Sequence, residues 1–211
     1  MRIAALLLLA LLAGCGSKPQ APPWQSSAHG GLERFEQAWL TGDNRVAQVE
    51  FTRARSELAA TGKVELVARA ELTRCALQVA SLVFEGCPGF ESLRADAPAA
   101  ERAYAAYLLG EAADAQLLPP HHRAVIASGD GAAFRRIEDP LSRLVALGVA
   151  VRAGRGSPEL LQLGTDTASG QGWRRPLLAW LGAQVRLAEG RGAAQEAAAL
   201  RRRIALVAGE R

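Results

Sequence analysis

Cysteine and histidine side chains are the groups of this sequence with the most reactive chemistry. The three cysteines are Cys15, Cys75 and Cys87, and their spacing matches no zinc-ligand pattern. No histidine lies near Cys75 or Cys87 in sequence, so a thiolate nucleophile is not indicated. His121 and His122 are adjacent, and on a helix they would point in different directions. We interpret the pair as a polar helix start and predict no metal site.

One acidic residue, Glu91, lies in a short sequence that suggests an enzyme. Glu91-Ser92 resembles the start of a lytic transglycosylase motif, but the Gly-Leu-Met-Gln segment of that family does not follow, since Met1 is the only methionine. The sequence also holds no Gly-x-Ser-x-Gly, no glycine-rich phosphate loop and no His-Glu-x-x-His. We therefore predict no catalytic residue and no cofactor.

The amino-terminal segment has the pattern of a secretory leader. Met1-Arg2 is positively charged and is followed by 11 apolar residues, Ile3–Ala13. A permanent membrane span needs about 20 such residues, so the pattern is typical of a signal peptide instead.

The end of this leader resembles the lipobox of bacterial lipoproteins. The residues that carry the resemblance are Leu12-Ala13-Gly14-Cys15. The resemblance implies that the Cys15 thiol receives a diacylglyceryl group and that residues 1–14 are then removed. The α-amine of Cys15 freed by this cleavage would then be acylated, typically with palmitate. The alternative is an ordinary signal peptide with a cysteine by chance. Gly16 stands where an Asp would mark inner-membrane retention, which by resemblance implies the periplasmic face of the outer membrane.

The residues after Cys15 are predicted to form a tether. Residues 15–29 include three prolines and several small polar side chains, and at full extension they could lift a domain about 40 Å from the lipid. Trp24 could reach the lipid interface or pack on the domain. Residues 30–209 are expected to form one domain.

Export would place the other two cysteines in an oxidising space. Cys75 lies on the apolar face of a predicted helix, and Cys87 follows in a segment where Gly86, Pro88 and Gly89 allow the chain to turn back. We predict a Cys75–Cys87 disulfide, whose closed loop should stabilise the fold by about 3 kcal/mol. The alternative is a buried, free Cys75.

Apolar residues recur with helical spacing along the whole domain, which predicts an all-α fold of antiparallel helical hairpins. Asp139-Pro140 and Ser157-Pro158 have the pattern of helix N-caps, and Gly154, Gly190 and Gly209 are predicted stops. The predicted apolar stripes are Leu32, Phe35 and Trp39; Ala47, Phe51, Ala54 and Leu58; and Val64, Ala68, Leu72, Cys75, Val79 and Leu82.

The carboxyl-terminal part of the chain contains an internal repeat. Leu147-Gly148 aligns with Leu181-Gly182, and Val151-Arg152 with Val185-Arg186, at an offset of 34 residues. Residues 144–207 therefore resemble tetratricopeptide-like hairpins, in which small residues such as Ala194 and Ala198 would lie in the second helix. Two unrelated hairpins of similar composition are the alternative. The stretches DPLSRLVALGVAVRAGR and GQGWRRPLLAWLGAQ also resemble tracts of uncharacterised proteobacterial lipoproteins, which implies no activity.

The charge pattern argues against nucleic-acid binding. The formal net charge is +4, and the charged residues of both signs are interspersed. We expect instead a non-enzymatic scaffold or adaptor, attached to the membrane by its lipid, that binds an envelope protein. The candidate partner-binding residues are Trp173, Arg174, Arg175 and Trp180, because an arginine beside an indole could form a cation–π surface. The alternatives are a peptidoglycan-acting enzyme or an activator of one, and a structural anchor or lipid carrier.

Overall fold

The computed structural model describes residues 22–209, and over this range the chain forms 11 α-helices and no β-strand. The predicted all-α fold is therefore confirmed. In chain order the helices are α1 Pro23–Thr41, α2 Asn44–Ala59, α3 Val64–Ala80, α4 Pro88–Glu91, α5 Ala99–Leu109, α6 Pro120–Ser128, α7 Gly131–Arg135, α8 Pro140–Arg152, α9 Pro158–Gly170, α10 Arg174–Gly190 and α11 Ala194–Ala208, with a 3₁₀ turn at Ala115–Leu117.

The domain begins earlier than the sequence indicates. Helix α1 starts at Pro23, so residues 23–29, which we expected in the flexible tether, are helical. Proline is suited to this first helical position, where its missing amide hydrogen costs nothing. Trp24 packs partly against the hydrophobic core, and Ala28 is buried. Any tether is accordingly confined to residues 15–22, of which 15–21 lie outside the described residues.

Local signals set most helix ends. Asp139 accepts a hydrogen bond from the Ser142 amide at 2.6 Å, and Ser157 caps α9 in the same way. Gly209 ends α11 in the left-handed conformation, as predicted. The predicted stop at Gly190 is displaced, because α10 includes that residue and Gly192 adopts the positive φ angle.

Helices α3 and α8 form the centre of the molecule. Helix α3 packs against α1, α2, α4, α5 and α8, and buried residues occur on all of its faces. Every residue of α8 from Leu144 to Ala150 is buried. The predicted stripe on α3 ended at Leu82, but the helix ends at Ala80 and Leu82 has a φ angle of 55°. The stripe therefore describes only part of a helix that is buried all round.

The crossing of α3 and α8 depends on a glycine. A Cβ atom built on Gly148 would lie 2.3 Å from the carbonyl oxygen of Val79, inside van der Waals contact with the α3 backbone. The absence of a side chain at Gly148 therefore lets α3 approach α8 closely. Its repeat counterpart Gly182 has no such neighbour, since the nearest atom is the Arg186 side chain of the same helix at 3.7 Å.

Both copies of the repeat form helices, but aligned residues of the two copies do not pack in equivalent environments. The offset of 34 residues aligns α8 with α10 and α9 with α11, and both hairpins form. In α11, however, the buried small residue is Ala197, whereas Ala194 is exposed and Ala198 is half-buried. The tetratricopeptide-like arrangement therefore stays a prediction.

Buried charge joins α2 and α3 to α4. Glu71 is 2% exposed, and its Oε1 accepts a hydrogen bond from Arg55 Nε of α2 at 2.6 Å. Arg74 Nη2 lies 2.6 Å from Glu71 Oε2, at ion-pair distance although not at a hydrogen-bonding angle. Gly89 of α4 packs so closely on this pair that a Cβ atom would overlap the Glu71 carboxylate. Removing one partner of such a buried pair would leave an uncompensated charge.

The Gly148 crossing yields a first test. In Gly148→Ala the added methyl group meets the α3 backbone, which cannot move aside as a flexible side chain could. We expect the free energy of unfolding to fall by about 1–3 kcal/mol, the usual range for overpacking. Urea unfolding followed by circular dichroism measures this change.

Gly182→Ala is the matched control, because it makes the same change at the aligned position of the repeat. Alanine has the higher helix propensity and meets no neighbouring helix there, so stability should rise by about 0.5–1 kcal/mol. Equal effects of the two substitutions would contradict the close crossing.

Candidate functional site

A groove runs between the carboxyl-terminal hairpins, and we call it the C-terminal groove. Its volume is about 510 Å³. It is lined by Arg135, Pro158, Glu159, Gln162, Leu163, Asp166, Gln184, Leu187, Arg191 and Glu196. These residues come from α7, α9, α10 and α11, so the groove exists only where the hairpins are assembled.

The base of the C-terminal groove is held in place by the core. Leu163 and Leu187 are half-buried and pack against the main hydrophobic cluster. Gln184 Nε2 donates to Thr165 Oγ1 at 2.6 Å and to the carbonyl oxygen of Leu161 at 3.3 Å. Because Thr165 is fully buried, the Gln184 amide is fixed in orientation.

The walls of the C-terminal groove carry charges of both signs. Gln162 Nε2 donates to Asp166 Oδ1 at 2.7 Å, and Arg191 Nη2 donates to both Glu196 carboxylate oxygens at 2.9 Å. A hydrogen bond from Ser157 lowers the pKa of Glu159, with smaller contributions from a backbone hydrogen bond and from Arg135. The groove therefore offers ionised acceptors, guanidinium donors and amides above an apolar base.

Sequence analysis did not identify this groove. Glu159, Gln162 and Asp166 recur at helical spacing on one exposed face of α9, while Leu161, Thr165 and Ala168 are buried on the other. That polar face was visible in the sequence. A polar helix face usually contacts only solvent, however, and the opposing residues from α10 and α11 become neighbours only in the fold.

Of the candidate partner-binding residues, Arg175 makes a cation–π contact within the molecule, and the indole is that of Trp39, not the neighbouring Trp173. Its guanidinium lies 4.1 Å from the ring centroid of Trp39, which belongs to α1. Arg175 Nε donates to the Trp39 carbonyl oxygen at 2.6 Å, and Nη2 donates to Asn44. Burial lowers the pKa of Arg175. This residue thus joins α10 to the first hairpin.

The other three candidate residues have different environments. Trp180 is 0% exposed and donates to the Ala80 carbonyl oxygen at 3.0 Å, so its side chain has no surface to offer a partner. Trp173 is half-buried and packs against both hydrophobic clusters. Arg174 is exposed, and its Nη2 lies 3.4 Å from the carbonyl oxygen of Ala208. Only Arg174 is therefore presented mainly to solvent.

The sulfurs of Cys75 and Cys87 lie at disulfide-bonding distance, with Cα atoms 5.6 Å apart. Both residues are buried, and the pair links the carboxyl-terminal half of α3 to the N-cap of α4. Phe90, three residues further along, is fully buried. The link therefore holds α4 against the core. The predicted lipidation residue Cys15 lies outside the described residues.

Glu91 has the surroundings of a surface ion pair. It is exposed, and Arg94 donates to its two carboxylate oxygens at 2.8 and 2.7 Å. The hydrogen bond from Arg94 lowers the pKa of Glu91. A glycosidase general acid needs the opposite shift.

His122 is buried, which corrects our interpretation of His121-His122 as a polar helix start. The His122 side chain is 2% exposed, and its Nδ1 lies 3.1 Å from the Tyr107 hydroxyl. Burial raises the pKa of Tyr107, so this hydroxyl keeps its proton and can donate to the imidazole. Burial, and then the neighbouring His121, lowers the pKa of His122 to about 3, while Asp139 opposes the shift.

Residues 22–209 contain neither a membrane-spanning helix nor a cluster of metal-ligating side chains. No helix there is both long and apolar enough to cross a bilayer. No cluster of three or more His, Cys, Asp or Glu side chains in that range could hold a metal ion.

Comparisons of the chain with models of protein families, with curated proteins and with solved structures find no match.

The burial of His122 predicts a pH dependence of stability. The unfolded state binds a proton below about pH 6.5, whereas the folded state binds it only near pH 3. The stabilising effect of the neutral imidazole is therefore complete above about pH 6.5. It decreases as the pH falls, by up to about 1.4 kcal/mol per pH unit.

Replacing this side chain should flatten the dependence. His122→Gln should reduce the slope of unfolding free energy against pH between about pH 4 and 6. His29→Gln is the control, because the His29 side chain is 76% exposed beside Glu33. Urea titrations at several pH values measure the slope, and an unchanged slope in His122→Gln would refute the assignment.

Proposed function

We propose that this protein is a lipid-anchored scaffold or adaptor at the periplasmic face of the outer membrane. Its C-terminal groove would bind a segment of an envelope protein without catalysing a reaction. The observation that carries the proposal is the groove itself, because polar groups of both signs converge there above a base of Leu163 and Leu187. Binding sites typically combine an apolar surface with a few placed polar groups.

The groove chemistry suits a peptide segment. The carboxylates can accept hydrogen bonds from backbone N–H groups, and the amide side chains can also donate to backbone carbonyl oxygens. Arg135 and Arg191 can form ion pairs with acidic side chains of the segment. The leucine side chains can receive an apolar residue of the same segment. A partner bound this way would be selected by its pattern of polar and apolar residues more than by net charge.

The anchor rests on the Leu12-Ala13-Gly14-Cys15 sequence. Two or more acyl chains on Cys15 would hold the protein stably, since each buried methylene contributes about 0.8 kcal/mol. Seven residue steps separate Cys15 from Pro22, so the domain could start no more than about 25 Å from the lipid. The partner segment would therefore have to lie close to the membrane.

The alternative of a peptidoglycan-acting enzyme is not favoured by the surroundings of Glu91, the residue that suggests it, or by those of Glu159 in the groove. Glu91 and Glu159 both have a lowered pKa, whereas a general acid acting on a glycosidic bond needs a raised one. The tetratricopeptide-like resemblance of residues 144–207 is consistent with a binding role, since arrays of helical hairpins present extended surfaces.

Site-specific crosslinking in intact cells tests the proposed groove. A photoreactive amino acid replacing Gln162, on the groove wall, should capture a defined protein. The same substitution at Gln48, an exposed glutamine of α2, should not capture it. Mass spectrometry identifies the crosslinked protein.

A charge reversal tests whether the crosslink depends on the charged side chains of the C-terminal groove. Asp166→Lys should abolish the crosslink from position 162, because it reverses an exposed acceptor on the same wall. Glu111→Lys makes the same change at an exposed residue outside the groove and should leave the crosslink intact. Equal capture from positions 162 and 48, or no capture at all, would refute the proposed site.

A further inference from the structure

A second groove lies at the opposite end of the sequence, and we call it the N-terminal groove. It is lined by Trp24, Gln25, Ser26, Ala28, His29, Leu32, Leu58 and Leu66 and has a volume of about 510 Å³. Unlike the C-terminal groove, it has no Asp, Glu, Lys or Arg on its lining. Five of its eight lining residues are apolar.

The first three helices form the N-terminal groove. Ala28 and Leu58 are buried beneath it, while Trp24, Leu32 and Leu66 are half-buried and face it. The close packing of α1 on α2 fixes this arrangement, since a Cβ atom on Gly31 would lie 3.0 Å from the Ala54 Cβ. The backbones of α1 and α2 are therefore held close together beside the groove.

The polar residues lie at the edge of the N-terminal groove. Gln25 and Ser26 are exposed in the first turns of α1, and Ser26 Oγ donates to the Pro23 carbonyl oxygen at 3.0 Å. His29 Nε2 is 3.3 Å from Glu33 Oε1. A half-buried indole beside polar edges suits a membrane–water interface, where tryptophan places its apolar ring in lipid and its N–H in the polar layer.

The position of this groove in the chain indicates what covers it. Trp24 follows Pro22 by two residues, and Pro22 can lie no more than about 25 Å from Cys15. If Cys15 carries the lipid, as our proposed function requires, the groove is held beside the bilayer. A short tether gives an effective concentration in the millimolar range, so an apolar contact with a dissociation constant below that range would be occupied most of the time.

We propose that the N-terminal groove rests against the lipid bilayer in which Cys15 is anchored. Trp24, Leu32 and Leu66 contact the lipid at the level of the headgroups and upper acyl chains. The tethered domain then has a defined side toward the membrane instead of rotating freely. Because the contact is apolar, it should persist at high salt, unlike attraction to anionic lipid.

The experiment uses the chain from Cys15 to Arg211, purified with the Cys75–Cys87 disulfide formed so that Cys15 is the free thiol. Cys15 is coupled to a maleimide lipid in vesicles of phosphatidylethanolamine and phosphatidylglycerol, with or without brominated acyl chains. Bromine quenches tryptophan fluorescence on contact, and the Trp24 signal is obtained by subtracting the spectrum of Trp24→Phe. We expect Trp24 emission to be lost in brominated vesicles at both low and high salt.

A matched pair of variants identifies the surface. Leu66→Gln should restore Trp24 emission while the protein stays coupled and keeps its helical circular dichroism. Val49→Gln changes a side chain of α2 that is 60% exposed and lies outside the groove, and it should leave the quenching intact. Failure of bromine to quench Trp24, or equal quenching in Leu66→Gln, would overturn the proposal.

Other outcomes are also decisive. A dimer of the uncoupled protein that Leu66→Gln dissociates would assign the groove to a second copy and overturn lipid contact. The anchor in the vesicle experiment is the chemical coupling of Cys15. The quenching result is therefore independent of whether Cys15 is lipidated in cells. Absence of lipid on cellular Cys15 would refute the proposed function without altering the vesicle result.

Discussion

The close crossing of α3 and α8 is the contact on which the rest of the structure depends. At Gly148 the two helix backbones meet with no room for a methyl group, and this brings the buried faces of both helices together. Helix α3 supports the first hairpin and α4, while α8 supports α9 and through it the last hairpin. Both grooves are thus attached to one rigid centre, because closely packed interiors deform little.

Side chains from the two ends of the chain strengthen this arrangement. Trp180 of α10 reaches the Ala80 carbonyl oxygen at the end of α3, and Arg175 covers Trp39 of α1. Trp39 in turn donates to the Leu77 carbonyl oxygen at 3.1 Å. Trp180 and Arg175, which the sequence suggests as partner-binding residues, therefore mainly hold the helices together. The two grooves are surfaces that these internal contacts leave open.

Helical periodicity and N-caps made the helices predictable, as Asp139 and Ser157 show, because these signals act within one turn. The Cys75–Cys87 pairing was predictable because a turn brings two nearby residues together. The grooves were not, because Gln162 and Gln184, or Trp24 and Leu66, become neighbours only through long-range packing. Pro23 is compatible with both a tether and a first helical turn, so the local sequence does not decide between them. The burial of Ala28 against the core, a long-range contact, favours the helix.

The proposed function and the proposed bilayer contact both require that the domain be fixed to a membrane through Cys15. The most direct measurement is the intact mass of the amino-terminal peptide from protein isolated from the membrane fraction of its own cells. We predict a chain that begins at Cys15 and carries a diacylglyceryl group with an acylated amine. A chain that retains residues 1–14, or that begins elsewhere with an unmodified Cys15 thiol, would contradict the account.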